Sequence, residues 1–479
     1  MERFIETVKN IFEIPELRKR IYMTFFILFL YRLGCQVLVP GINKDALASM
    51  FNFESGLLNM VNLFSGGALG NAAVFALGIM PYITASIILQ ILQKSVPYLE
   101  RLSKEGEQGR NKINRYTRYL TVGFALLHSY GITTLLLSMN QEGQSIVSSS
   151  ISSTFLFRFI VMLTLTTGAI VIMWLGEKIT ERGIGNGISL IIFASIVVRL
   201  PSSVQSLYQA IVNHQVSGPV MLLIIAMIIG IVVFVVFFEL GVRRITIQYA
   251  KRVTNQGQVA GGNSFLPFKV NSAGVIPVIF SASVIQIPNM LQGFGGAPNP
   301  ETATSFYHLL LAHLAAGRPF SNLLFFVATM FFTFFYVEML FNPKDTAENL
   351  KKHGGSIPGI RPGRETQEYI EGVLKRLTFW GGLYLSLVSI IPNWIISGMQ
   401  LNSLPSWLGG DFFDRYLPTL FNTGTGLQIA HVLGGTSLLI IISVALDFVN
   451  QVENQLIMRK YDGFTNKSMR TRSRTRRYA

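Results

Sequence analysis

The sequence is poor in cysteine, charge and catalytic signatures. Cys35 is the single cysteine among 479 residues, and disulfides, thiolate metal sites and iron–sulfur clusters each need at least two. Only 14% of the residues are charged, against roughly 25% in soluble domains. A Gly-x-x-x-x-Gly-Lys-Ser/Thr phosphate loop is missing as well, which excludes ATP hydrolysis by that route. We therefore expect no catalytic residue, no metal and no cofactor, and a protein that is not an enzyme.

Hydrophobic residues are abundant instead, at half of the chain. They fall into runs of about 20 residues, the length that crosses a bilayer core. The pattern predicts an all-α polytopic membrane protein. Its ten predicted spans are Ile21–Val39, Ala72–Leu92, Tyr119–Met139, Phe155–Leu175, Ile184–Val198, Val220–Phe238, Asn271–Met290, Leu323–Phe341, Leu377–Ile395 and Gln428–Phe448.

Positive charge alternates between the connectors. Of the 40 Lys and Arg residues, 34 lie in the N-terminus, the tail and every second connector, whereas the other five connectors hold 4. The positive-inside rule then puts both termini in the cytoplasm. Five spans precede the connector 199–219 and five follow it, so the second half enters the membrane in the opposite sense and an inverted repeat is plausible.

The expected organisation follows from this layout. It comprises an N-terminal half (1–198), an external connector acting as a hinge (199–219), a C-terminal half (220–448) with cytoplasmic docking loops at 239–270 and 342–376, and a basic cytoplasmic tail (449–479). The Arg470 to Arg477 run is expected to form a disordered tail on anionic phospholipids.

The first apolar run follows Arg18-Lys19-Arg20 and ends near Leu33-Gly34-Cys35, which faintly resembles the cleavage site of a lipoprotein signal peptide. Arg32 directly precedes that site, and a charge there does not suit a hydrophobic cleavage pocket. We therefore predict an uncleaved first helix, in which Arg32 is a cation inside an apolar span.

Four spans carry polar or helix-breaking residues: Pro81, Thr84, Ser86 and Gln90 in span two; Gly185, Asn186, Gly187 and Ser189 in span five; Asn271, Ser272, Pro277, Ser281, Ser283 and Gln286 in span seven; and Gln428, Gly434, Gly435, Thr436 and Ser437 in span ten. Such residues at membrane depth are tolerated where they face protein or water. The pattern predicts an aqueous pathway lined by these spans. Tight helix packing is the alternative.

A glycine-rich segment, Leu63-Phe64-Ser65-Gly66-Gly67-Ala68-Leu69-Gly70, lies between spans one and two. It is too short to cross the bilayer and too apolar for a comfortable external loop. We expect it to re-enter the membrane and block a pore from outside, since its glycines permit tight turns. A surface loop packed on the span ends is the alternative.

Isoleucine pairs at a spacing of four residues occur on two of the polar spans. They are Ile79 with Ile83 and Ile188 with Ile192, so each pair lies on one helix face. Pointing inward, they make an aliphatic constriction that excludes ions by dewetting. From spacing alone, a lipid-facing position is the stronger interpretation.

Two cytoplasmic connectors have ordered patterns. Residues 243–252 alternate like a strand, and Gly261-Gly262-Asn263 supplies a turn before Phe265, which predicts a hairpin. In the next loop, Pro362 and flanking glycines present Arg361 at a shaped tip. Both loops are expected to be docking surfaces, and topology-setting charge is the alternative. The candidate docking residues are Arg243, Arg244, Lys251, Arg252, Arg361 and Arg364.

Taken in order, several segments resemble the bacterial SecY family of translocon subunits over nearly the whole chain. They are Phe75–Ile83, Glu105–Glu107, Tyr116–Tyr119, Ile179–Ser189, Ala273–Pro277, Ile357–Gly363 and Gly434–Leu439. The stretch from Gly293 to Phe320 and the tail after Lys467 match no motif of that family.

The resemblance implies an hourglass channel for unfolded proteins in the bacterial plasma membrane, with two halves that open toward lipid. It implies a pore ring of Ile79, Ile83, Ile188, Ile192, Ile279 and Ile440, and makes Leu63–Gly70 the plug. Spans two and seven then border a lateral gate, with Pro81, Thr84, Ile87, Gln90, Ser281, Ser283 and Gln286 as its candidate residues.

The partners implied by the resemblance are SecE-type and SecG-type small membrane subunits, the SecA motor ATPase, the ribosome, and unfolded preproteins with their signal sequences. A secondary transporter of a small solute or lipid is the rival hypothesis, because it shares ten spans and inverted halves. A membrane scaffold without a pathway is a third.

Overall fold

The computed structural model describes residues 14–43, 62, 65–139, 153–212, 218–249, 252–253, 259–260, 263–295, 318–397 and 434–475. The chain divides into two compact units. Unit 1 contains Met1–Arg199 and Val444–Ala479, and unit 2 contains Leu200–Ser443.

Helices dominate both units. They are α1 (Pro15–Gly34), α2 (Met80–Ser95), α3 (Pro97–Lys104), α4 (Glu107–Met139), α5 (Thr154–Arg182), α6 (Gly187–Val197), α7 (Leu200–Val212), α8 (Gly218–Glu239), α9 (Ile276–Gly295), α10 (Pro319–Leu340), α11 (Pro343–Lys352), α12 (Arg364–Ser397) and α13 (Gly435–Thr475). Each of the ten predicted spans overlaps one of these helices, with differences at the ends. Four helical stretches of the described residues are long and apolar enough to cross a membrane on those criteria alone: Thr154–Arg182, Gly187–Gln209, Pro319–Lys352 and Gly435–Ile457.

Span two begins later than the sequence predicts. Residues 72–79 form turns, and α2 starts only at Met80. The backbone of Ala72 and Gly78 has positive φ values of 51° and 56°, which an α-helix cannot accommodate. Pro81 lies in the first turn of α2, where a missing N–H costs nothing. The prediction of Pro81 as a break within a span is therefore wrong.

The glycine motif between α5 and α6 is a tight helical hairpin. Asn186 caps α6, because its side chain accepts hydrogen bonds from the N–H groups of Ile188 and Ser189. Gly185 has a φ of +90°, and a Cβ on Gly187 would collide with the main-chain oxygen of Gly176. These glycines allow two membrane helices to turn closely against each other.

The connector after α8 forms an antiparallel hairpin, as predicted. Its strands are β1 (Val242–Tyr249), β2 (Arg252–Val253), β3 (Val259–Ala260) and β4 (Asn263–Lys269). Strand β1 pairs with β4 from Val242 opposite Lys269 to Gln248 opposite Asn263, and β2 pairs with β3. Gly261 and Gly262 of the predicted turn lie outside the described residues, and Asn263 is the first residue of β4.

A third strand joins this sheet from the next loop. Strand β5 (Gly355–Ser356) pairs with the end of β1, giving the order β4-β1-β5. Pro267 is on the edge strand β4, where a missing donor is tolerated.

The last helix, α13, runs without interruption from Gly435 to Thr475. The expectation of a disordered tail is therefore wrong as far as Thr475. The predicted start of span ten, Gln428 to Leu433, lies outside the described residues.

Candidate functional site

The glycine-rich segment is buried inside unit 1. Leu63 and Phe64 lie outside the described residues, whereas Ser65, Gly66, Ala68 and Leu69 are buried and Gly67 and Gly70 are partly buried. Leu69 packs in an apolar core with Phe157 of α5 and Ala125 of α4. This placement differs from an exposed surface loop.

Two side chains of α1 hold the main chain of this segment, and one of them also contacts α6. The Tyr31 hydroxyl of α1 donates to the carbonyl oxygen of Ser65 at 3.3 Å and lies 2.7 Å from the Ser195 hydroxyl of α6. The Arg32 guanidinium donates to the carbonyl oxygen of Gly66 at 2.9 Å. Side-chain donors of α1 thus satisfy the buried carbonyl oxygens of Ser65 and Gly66.

The other end of the segment is anchored by its own chain and by the stretch after α1. The Asn62 side-chain oxygen accepts from the Gly70 N–H at 2.9 Å. Beyond it, Val39 N–H donates to Ala72 O and Val74 N–H donates to Val37 O, both at 2.8 Å. These bonds make a short strand-like ladder that fixes residues 72–74.

Five of the six candidate ring isoleucines are buried. In unit 1, Ile79, Ile83 and Ile192 are 1%, 4% and 1% exposed; in unit 2, Ile279 and Ile440 are 5% and 1% exposed. Ile188 is half-buried and lies beside Gly176 of α5. Burial by the chain itself disfavours the lipid-facing alternative for these five side chains.

The hydroxyl groups at the candidate gate bond within their own helices. Thr84 donates to Met80 O at 3.1 Å, Ser281 to Pro277 O at 2.8 Å and Ser283 to Ile279 O at 2.9 Å. Such bonds satisfy a hydroxyl at membrane depth without water. These three side chains are therefore compatible with tight packing as well as with a wet pathway.

Gln90 differs from these hydroxyls. Its amide nitrogen donates to Ser86 Oγ at 3.1 Å, while its buried Oε1 has no hydrogen-bond partner within the described part of the chain. Ile87 of the same helix is buried. Gln286 lies in α9, in the part where only the backbone is described.

The two predicted docking loops form one surface in unit 2. Strand β5 joins the arginine-bearing loop to the hairpin, and Ile245 and Phe268 of the hairpin share a buried core with Ile357 of that loop. We call this sheet with its core and the turn Gly359–Gly363 the platform. No sequence pattern points to this union, because the apolar residues of the two loops share no common period.

Arg361 and Arg364 differ in whether their positive charge is paired. Arg364 pairs with Glu368 at 2.9 Å, whereas the exposed Arg361 guanidinium has no ion pair among residues the structure describes. The backbone around Arg361 is fixed, since its carbonyl accepts from the Thr366 hydroxyl at 2.8 Å and Gly359 and Gly363 adopt φ values of +80° and +119°. A cation on an ordered turn is available to an acidic partner.

The remaining docking candidates are less completely described. Arg243 and Arg244 are exposed on β1. Arg252 is in β2, where its side chain is not described, and Lys251 lies outside the described residues.

One ion pair joins α4 to α5, and a second lies within the last turns of α5. Arg118 of α4 bonds to Glu177 of α5 at 2.8 Å, and this hydrogen bond raises the pKa of the Arg118 guanidinium. The hydrogen bond from Lys178 holds the pKa of the exposed Glu181 carboxyl below its usual value.

A sequence model of the SecY family matches residues 73–449. That range contains all six ring isoleucines, the gate residues and both docking loops. The chain belongs to the SecY family. Two members, each named protein translocase subunit SecY, show how far the similarity extends. The protein of Corynebacterium glutamicum is 40% identical over 458 residues, 94% of this chain and 98% of that protein. The protein of Escherichia coli K12 is 40% identical over 455 residues, 95% of each.

Solved structures agree on the SecY fold. The structure described as that of a protein conducting channel has a TM-score of 0.59 at 16% identity, covering 91% of this chain and 92% of that chain. Sec61 in the canine ribosome-channel complex from the endoplasmic reticulum has a TM-score of 0.56 at 16% identity, with the same coverage. The predicted fold class, an all-α polytopic membrane protein of the SecY type, is confirmed.

Proposed function

We propose that this SecY family member is the central protein-conducting subunit of a translocon, which moves unfolded secretory proteins across the membrane and releases transmembrane segments into it. The observation that supports this most is the identity of 40% over nearly the whole chain to protein translocase subunits. A solute or lipid transporter is not favoured.

The pore ring is the seal of the proposed channel. Ile79, Ile83, Ile188, Ile192, Ile279 and Ile440 form an aliphatic collar, which excludes water and ions at rest and yields around a passing chain. The burial of five of these side chains supports the collar.

The segment Leu63–Gly70 is the proposed plug, and its burial between α1 and α6 is the resting position that we assign to it. Helices α2 and α9 border the proposed lateral gate. An apolar segment leaves there because its surface is better solvated by lipid, at about 25 cal/mol per Å².

The platform is the proposed docking surface for the SecA motor ATPase or the ribosome, with Arg361 as its central residue. SecE-type and SecG-type subunits complete the complex, and anionic phospholipids contact the basic end of α13. Both termini are cytoplasmic, and the membrane is the bacterial plasma membrane.

The test is photocrosslinking of a stalled secretory chain. A photoreactive residue is placed at Ile83, at Ile279 or, as control, at Ile229, which is exposed on α8. A channel predicts labelling at Ile83 and Ile279 well above the control. Equal labelling at all three positions would contradict the proposal and favour the transporter hypothesis.

A further inference from the structure

Arg32 is a charge inside an apolar span, and neither the pore ring nor the gate gives it a role. Its neighbour Tyr31 is 2% exposed, so it carries a buried hydroxyl. Both side chains bond to the main chain of the plug, at Gly66 and Ser65 respectively.

We propose that Tyr31 and Arg32 form a latch that holds the plug closed and couples its release to the collar. This inference rests on the proposed function, because it assigns two positioning residues to the plug.

The connection to the collar runs through Ser195. Its hydroxyl shares the 2.7 Å hydrogen bond with Tyr31, and Gly66 approaches so closely that a Cβ there would be 3.1 Å from Ser195 Cα. Ile188, Ile192 and Ser195 are spaced by four and three residues, so they share one face of α6. A chain that pushes this face aside therefore pulls Ser195 away from both Tyr31 and Gly66.

Ring stacking fixes the direction in which the Tyr31 hydroxyl points. Its ring stacks on Phe75 at 6.0 Å between centroids, with the planes 9° apart. Gly34 makes room for Phe75, since a Cβ on Gly34 would collide with that ring. The stack survives removal of the hydroxyl, which makes Tyr31→Phe a clean test.

Gly67 supplies a pivot beyond the latch. It has a φ of +86°, and a Cβ built on it would meet nothing within 4 Å. The ladder at residues 72–74 stays in place, so release concerns the chain up to Gly66.

The experiment measures resting ion conductance per assembled channel complex in planar bilayers, together with export of a preprotein that has a defective signal sequence. Tyr31→Phe and Arg32→Gln are each expected to raise both readouts roughly tenfold, the shift that the loss of one buried hydrogen bond typically causes. Arg32→Lys should restore most of the closure because it keeps a charged donor. Tyr22→Phe on the exposed face of the same helix should match the parent protein.

An engineered disulfide tests the plug independently of the latch. Built Cβ atoms at Gly66 and Ser195 are 3.3 Å apart, close to the range that a disulfide spans. In a Cys35→Ser background, the oxidised Gly66→Cys, Ser195→Cys protein should export nothing, and reduction should restore export.

If oxidation blocks export while Tyr31→Phe and Arg32→Gln behave like the parent protein, the plug stands and the latch is wrong. If the oxidised protein exports as fast as the reduced one, the segment is not a plug, and the latch and that part of the proposed function fail together.

Discussion

The plug and the Arg361 turn are both short loops that contain glycine, but they are held in different ways. The platform fixes Arg361 through strand pairing and an apolar core that includes Ile245 and Ile357. The described start of the plug, in contrast, is held by hydrogen bonds from Tyr31 and Arg32 to its carbonyl oxygens. A core dissolves only with the fold, whereas a few directional bonds break when one helix shifts. The platform is therefore held as a permanent surface, whereas the start of the plug is held so that it can move out of its closed position.

The largest effect on the platform is expected from Phe268→Ala. This change empties the core shared by both loops and should cost about 3–5 kcal/mol of local stability. Limited proteolysis of the cytoplasmic loops should accelerate strongly, and docking of the motor ATPase should be lost. Phe265→Ala is the matched control on the same strand, because Phe265 is exposed; equal proteolysis of the two variants would mean that the core does not hold the platform.

On the plug side, Gly66→Ala is expected to act more strongly than Gly67→Ala. Both residues have positive φ values, so each alanine costs about 1–2 kcal/mol of backbone energy. Only at Gly66 does the methyl group also press on Ser195. Resting conductance should rise more for Gly66→Ala than for Gly67→Ala. Equal conductances would show that the contact with α6 does not stabilise the closed plug.

Arg361→Ala sharpens the comparison without disturbing either fold. The platform should remain intact, and the affinity for the motor ATPase should fall by about 2 kcal/mol, as at a charged interface hot spot. Arg364→Ala should change that affinity by less than about 0.5 kcal/mol, because its exposed pair with Glu368 contributes little. Titration calorimetry with the purified motor measures both, and a larger loss for Arg364→Ala would reverse the assignment.

The smallest effect is expected from Asn62→Ala. It removes the acceptor for Gly70 N–H and should destabilise the closed segment by about 1 kcal/mol. Resting conductance should rise less than for Gly66→Ala. Asn71→Ala is the control, since within the described residues that side chain makes no hydrogen bond; a rise for Asn71→Ala alone would contradict the role of Asn62.

Run length and charge alternation were enough to predict a helix for every span, because the bilayer imposes one length and one backbone solution. The start of α2 was not predictable from hydropathy. Residues 72–79 are as apolar as a membrane-spanning segment, and only the positive φ values of Ala72 and Gly78 exclude a helix there.

Side-chain partners far apart in sequence were beyond prediction as well. Tyr31 and Ser195 are 164 residues apart, and neither has a pattern around it that points to the other. The hairpin was predictable from the alternation along β1, whereas the pairing of β1 with β5 was not, because a strand of two residues shows no alternation. The ordered turn at Arg361 was predictable from the neighbouring proline and glycines, since these residues specify backbone shape locally.

The serine and threonine bonds within α2 and α9 have a mechanical consequence. The hydroxyls of Ser281 and Ser283 donate hydrogen bonds within their own helix, as Thr84 does within its own, so a neighbour that moves away breaks no hydrogen bond with them. A neighbour packed on either helix surface is held there by dispersion forces and by no hydrogen bond from these hydroxyls, and acyl chains can supply the same forces in its place.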